Sequence, residues 1–119
     1  MDHFNFKQGE LFCEDVPIKN IAEKFGTPAY VYSKATLLRH LDVYQKSLKS
    51  LNGIVCFSVK ALSNLSILKL LSEHGSGFDI VSGGELYRCI KAGIDPKNII
   101  FSGVGKSADE IALALKVGI

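Results

Sequence analysis

The residues best suited to chemistry in this chain gather at three strand ends. Lys60 follows the apolar run Ile54-Val55-Cys56-Phe57-Ser58-Val59 and precedes Ala61-Leu62-Ser63-Asn64, where the sequence predicts a helix start. Desolvation disfavours the charged form of a lysine that a buried strand carries into such a turn. A neutral amine there suits imine formation with an aldehyde or ketone. The plain alternative is a solvated lysine just past a strand, the ordinary condition of lysines. Asp79 lies in the short strand Gly77-Phe78-Asp79-Ile80, and Ser102 leads into Gly103-Val104-Gly105-Lys106. A lysine, a carboxylate and a glycine-rich loop at one end of a sheet are consistent with a cofactor site.

Strand alternation sharpens the position of Lys60. Ile54, Cys56, Ser58 and Lys60 share one face; Val55, Phe57 and Val59, all apolar and bulky, share the other. The second face suits packing against helices, so Lys60 is expected to point inward. Ser82-Gly83-Gly84-Glu85 opens the next helix as a capping box, and Ser107-Ala108-Asp109-Glu110 repeats the device. Glu85 is therefore a candidate for helix capping or for the site. Gly103-Val104-Gly105-Lys106-Ser107-Ala108 matches the dinucleotide pattern G-x-G-x-x-A, after a strand and before a helix. It sits in the third strand–helix unit, whereas that fingerprint belongs to the first unit of its fold. The P-loop pattern fits worse, because Ile100 stands where it needs glycine.

The elements that must carry these residues follow a rhythm. Strand 54–59 leads to a helix from about Asn64 bearing Leu65, Leu68 and Leu71. Strand 77–80 leads to one bearing Leu86, Cys89 and Ile90. Strand 98–102 leads to one bearing Ile111, Ala114 and Leu115. Gly75, Gly93 and Gly118 punctuate the helix ends. Successive strand–helix units make parallel strands with right-handed crossovers, either in a doubly wound sheet or in part of a (β/α)8 barrel. Such a barrel needs about 250 residues, so 119 residues with three units are expected to be the N-terminal piece of a longer protein. The first third differs. It predicts a hairpin around Gly9, a short helix through Ile18, Ile21, Ala22 and Phe25, a strand Ala29-Tyr30-Val31-Tyr32, and a helix capped by Ser33 with a stripe of Leu37, Leu41, Tyr44, Leu48 and Leu51.

Composition narrows the function classes. The chain is 47% hydrophobic and 22% charged with a net charge of +2 and scattered lysines, which argues against disorder and against a nucleic-acid or membrane-surface patch. It has no signal-peptide pattern and no long apolar stretch. Cys13, Cys56 and Cys89 form no C-x-x-C pair, and His3, His40 and His74 stand alone. Metal and disulfide readings are weak, and a reducing, cytoplasmic location is the expectation.

Together these segments resemble the fold-type III pyridoxal-phosphate decarboxylases. Phe57-Ser58-Val59-Lys60-Ala61-Leu62-Ser63-Asn64 resembles the cofactor-lysine segment, with Leu62 where asparagine is common. Residues 75–85 and Gly26-Thr27-Pro28-Ala29-Tyr30-Val31-Tyr32 are similar to further stretches of that family. Phe101-Ser102-Gly103-Val104-Gly105-Lys106 resembles the form in its diaminopimelate decarboxylase branch. The resemblance implies that Lys60 carries pyridoxal 5'-phosphate and is the catalytic lysine, with Asp79 near that linkage and Glu85 in the same cofactor-binding network. It implies a (β/α)8 barrel plus a β-domain, residues 1–33 belonging to the β-domain and residues 34–119 to an incomplete barrel. It further implies a homodimer that decarboxylates meso-2,6-diaminopimelate to L-lysine and CO2, with the phosphate, ring-nitrogen and substrate residues beyond Ile119. Residues 1–119 alone are then expected to be inactive. Another amino-acid decarboxylase of this fold, a non-catalytic pyridoxal-phosphate protein and a dinucleotide-binding domain are the alternatives.

Overall fold

A computed structural model describes residues 2–119, which divide into two compact units, one up to Val43 and one from Tyr44 onward. The N-terminal unit opens with the expected hairpin. Strands β1 (Phe4–Lys7) and β2 (Glu10–Cys13) pair antiparallel, Phe4 opposite Cys13 and Lys7 opposite Glu10. Gln8 and Gly9 make the two-residue turn at φ 52° and 84°, the left-handed pair whose twist matches that of the strands. A third strand, β3 (Val16–Pro17), pairs with β2. Two residues carry no alternation, so this strand has no signature of its own along the chain.

Helix α1 (Ile18–Phe25) forms where the periodicity predicts, although Phe25 at the end of its stripe is 72% exposed. Residues 29–32 correct an expectation: they form no strand, and Tyr30 is 91% exposed. Aromatic and β-branched residues suit a pleated surface, but a strand exists only with a neighbour to complete its ladder. Among the described residues the two sheets are β1–β2–β3 and β4–β5–β6, and neither includes this segment. Helix α2 (Lys34–Leu48) begins after Ser33, whose Oγ accepts from Thr36 N at 3.0 Å as a cap. Glu14 reinforces that end: its Oε1 accepts from Ser33 Oγ at 2.7 Å and from Ala35 N at 2.8 Å. The bonds from Ala35 and then Ser33 hold its carboxyl below the ordinary range.

The second unit is the predicted repeat. Strands β4 (Cys56–Ser58), β5 (Gly77–Ile80) and β6 (Ile99–Phe101) form one parallel sheet in sequence order. Helices α3 (Leu65–Glu73), α4 (Gly83–Lys91) and α5 (Ala108–Val117) follow the strands in turn. Each helix start has a local cap. Asn64 accepts from the amides of Ser66 and Ile67, Ser82 from Glu85 N, and Ser107 from Glu110 N. Register places Phe57, Phe78 and Ile99 in one row and Ile80 beside Phe101 in another. This face closes into the core, where Phe78, Leu68, Ile80, Leu86, Val59 and Cys89 are fully buried. Phe57 meets Phe78 edge-on with ring centroids 6.4 Å apart. Each such side chain contributes about 1.5–3 kcal/mol of burial. Cys89 is a core residue as expected, and burial, aided by the charge of Glu85, pushes its thiol up to about 11. Among the described residues, no helix is long and apolar enough to cross a membrane.

Candidate functional site

The strand that delivers Lys60 is shorter than its apolar run suggests. The β4 ladder stops at Ser58, and Val59–Ala61 forms one 3-10 turn, closed by Leu62 N donating to Val59 O at 3.1 Å. Val59 buries completely and anchors the turn, whereas Lys60 at its centre is exposed. Strand parity ends with the ladder, two residues before Lys60, so alternation does not fix the direction of its side chain, and burial, the other part of the expectation, is not found. The lysine keeps its predicted place, in the turn at the C-terminal end of the first parallel strand.

Asp79 lies on β5 directly across from Ser58 on β4, with Cys56 across from Gly77 one pair earlier and Ile100 on the far side of Asp79. Residues in register share a face, so Cys56, Ser58, Asp79 and Ile100 occupy the face opposite the core. Asp79 Oδ1 and Ser58 Oγ are buried and have no hydrogen-bond partner. An unsatisfied buried polar group costs about 1–3 kcal/mol, more when charged. Two such atoms side by side need a reason. Cys56 is half-buried beneath them, its thiol raised by burial and then by the Asp79 carboxylate.

Glu85 and Glu110 occupy matching positions in their motifs but do different work. At α5 the capping box is complete: Glu110 Oε2 accepts from Ser107 N at 2.9 Å while Ser107 Oγ accepts from Glu110 N at 3.2 Å. At α4 the reciprocal bond moves back one residue, so Glu85 Oε2 accepts from Val81 N at 2.9 Å. Glu85 thereby ties the turn that leaves β5 two residues after Asp79. The α4 start is also capped from afar, Gly83 N donating to Glu110 Oε1 at 2.7 Å. A β-carbon on Gly83 would stand 3.1 Å from Glu110 Cγ, so glycine leaves room for this bond. The bonds from Ser107 and then Gly83 hold the Glu110 carboxyl below its ordinary value.

The glycine-rich loop after β6 is closed on itself. A β-carbon on buried Gly103 would lie 2.6 Å from Val81 O, so the glycine permits one backbone to pass another. Lys106 Nζ donates to Gly103 O and stands 5.2 Å from the Phe101 ring centroid. Sequence reasoning missed Ser58 as a site residue and the long-range bonds of Glu110. A polar residue within an apolar strand, two positions before the lysine, was the available signal for Ser58.

The profile of the pyridoxal-dependent decarboxylase family, pyridoxal-binding domain, matches residues 34–119. The chain belongs to the pyridoxal-dependent decarboxylases. Within this family it is 50% identical over its whole length to the diaminopimelate decarboxylase of Pseudomonas aeruginosa, and 47% identical to that of Haemophilus influenzae. It spans 29% of the length of each. Its fold matches the crystal structure of diaminopimelate decarboxylase from M. jannaschii in complex with L-lysine, with a TM-score of 0.92 and 34% identity over 98% of this chain and 28% of that one. The residues of this pyridoxal-dependent decarboxylase segment fit an aldehyde-bearing, multiply polar cofactor. They supply an accessible amine on a turn and two buried oxygens that lack partners, Ser58 Oγ on the strand before that turn and Asp79 Oδ1 on the neighbouring strand. The dinucleotide alternative falls, since the loop it needed is a closed turn in a decarboxylase segment.

Proposed function

We propose that the whole protein decarboxylates meso-2,6-diaminopimelate to L-lysine and CO2, with pyridoxal 5'-phosphate attached to Lys60. The observation that supports this reading is that Lys60 sits on the turn following β4, whose last residue Ser58 stands in register with Asp79, the two carrying buried oxygens without partners. The diaminopimelate decarboxylase relatives support the choice of substrate. When bound, the cofactor supplies the electron sink that loss of CO2 from an amino acid requires. Lys60 Nζ, an amine on a short turn at a strand end, would hold it covalently. Asp79 Oδ1 is an acceptor for a proton on nitrogen and favours the protonated form nearby. Glu85 joins the same network through the Val81 turn, fixing where β5 releases the chain.

In this reading the three strand–helix units are the first of a (β/α)8 barrel, and residues 1–33 belong to a separate β-domain. A family match that begins at residue 34 supports that boundary. The protein is a cytoplasmic homodimer. Borohydride reduction of the cofactor-loaded protein followed by peptide mass spectrometry tests the attachment. The label is expected on Lys60, and a label on any other lysine overturns the assignment. Turnover of meso-diaminopimelate in preference to ornithine and arginine is expected in the same preparation.

A further inference from the structure

We propose that Ser58 is a positioning residue: unbonded in this structure, its hydroxyl turns to donate to the Asp79 carboxylate when the cofactor is held on Lys60, and so fixes which oxygen faces that nitrogen. The inference rests on the reading of Lys60 given above. Its foundation is the row of the sheet that holds Asp79. Ser58 flanks the carboxylate on β4 and Ile100 flanks it on β6, so the hydroxyl is the side-chain donor in that row. The floor below is closed: a β-carbon on Gly77 would lie 2.9 Å from Cys56 Sγ and 3.0 Å from Asn98 O. A partner for either oxygen must come from the other oxygen or from the strand ends above, where Lys60 stands.

Neighbouring strands run about 4.8 Å apart, so a side-chain rotation brings a serine hydroxyl into reach of the carboxylate opposite. A hydrogen bond to the charged form keeps a carboxylate ionised and oriented. Of the titratable groups on the elements next to Asp79, Cys56 on β4 feels its charge, Lys60 lies on the turn after β4, and Glu85 on α4 binds the Val81 amide two residues on. Leaving a hydroxyl buried without a partner has no packing rationale, because alanine would fill the position without the desolvation cost. A waiting donor explains why the oxygen is there.

The test uses the full-length, cofactor-loaded protein and the visible absorbance of the Lys60-linked cofactor, titrated with pH. Ser58→Ala is expected to lower the midpoint for loss of the Lys60-nitrogen proton by about one pH unit, the scale of one hydrogen bond to a charge. Ser58→Thr, which keeps the hydroxyl, is expected to restore it. In an Asp79→Asn background Ser58→Ala is expected to add nothing, since it acts through that carboxylate. Without cofactor, Ser58→Ala is expected to melt at the same temperature as the parent or higher. An unchanged midpoint, a shift that persists in Asp79→Asn, or an equal loss of thermal stability with and without cofactor would overturn the proposal. If Ser58→Ala fails to accumulate, Ser58→Cys is titrated against the same outcomes. Lack of a Lys60-linked absorbance in the parent protein would sink the reading of Lys60 itself; its presence with a silent Ser58→Ala would sink only the role of Ser58.

Discussion

The two faces of the β4–β6 sheet have opposite characters. One carries Phe57, Phe78, Ile80 and Ile99 into a core with Leu68, Leu86 and Cys89, and its principal residues are fully buried. The other carries Cys56, Ser58 and Asp79 and leaves two polar oxygens without partners. The same three strands thus separate what holds the fold from what is proposed to serve the chemistry, because alternate residues of a strand face opposite ways. The core face is satisfied by this chain alone. The polar face leaves two buried oxygens without partners, to be paired with each other or from the strand ends.

That contrast breaks if a polar-face change unfolds the protein or a core-face change spares it. The largest effect is expected for Lys60→Ala in the full-length enzyme. Activity should fall by about 10⁴-fold or more, close to 5.5 kcal/mol at 1.36 kcal/mol per decade, with an unchanged circular-dichroism melt. Phe78→Ala should cost about 3–5 kcal/mol in urea unfolding, through lost burial and the cavity left behind. Asp79→Asn should lower kcat by about 10²–10³-fold while leaving the melting temperature unchanged or raised, since Oδ1 of this half-buried side chain has no partner to lose. Ser107→Ala should cost about 1 kcal/mol by removing the α5 cap, with no effect on the cofactor spectrum.

The smallest effect concerns acid. The Glu110 carboxyl lies below its ordinary value of 4.5, lowered by the amides of Ser107 and Gly83. Its stabilising contribution is therefore complete above that value and lost as pH falls through the lower, folded-state value. Glu110→Gln should flatten that part of the stability profile, read as a melting temperature that changes less between neutral and acid pH. An unaltered profile would show that the two amides do not depend on the charge.

The repeat was legible because each unit announces itself twice, by an apolar run and by a capping residue. Asn64, Ser82 and Ser107 all cap the helices they precede. Features that depend on a distant partner were not legible. Residues 29–32 have strand composition but no neighbour. Glu14 and Glu110 support helices 19 to 27 residues away, and no local pattern records this. At the site, the position of Lys60 was readable from the end of its apolar run, but its exposure was not, since the ladder stops two residues early. The Ser58–Asp79 pairing needed the register of β4 on β5, which a single sequence does not supply.

The bond from Gly83 to Glu110 also sets an order in time. The first turn of α4 cannot gain its second cap until a residue 27 positions later has been made. At translation rates of about 5–20 residues per second, that is a wait of about 1–5 s. Through that interval the second strand–helix unit exists with its leading amide open, and the third unit locks it on arrival. At this junction assembly is therefore retroactive, the third unit finishing the start of the second.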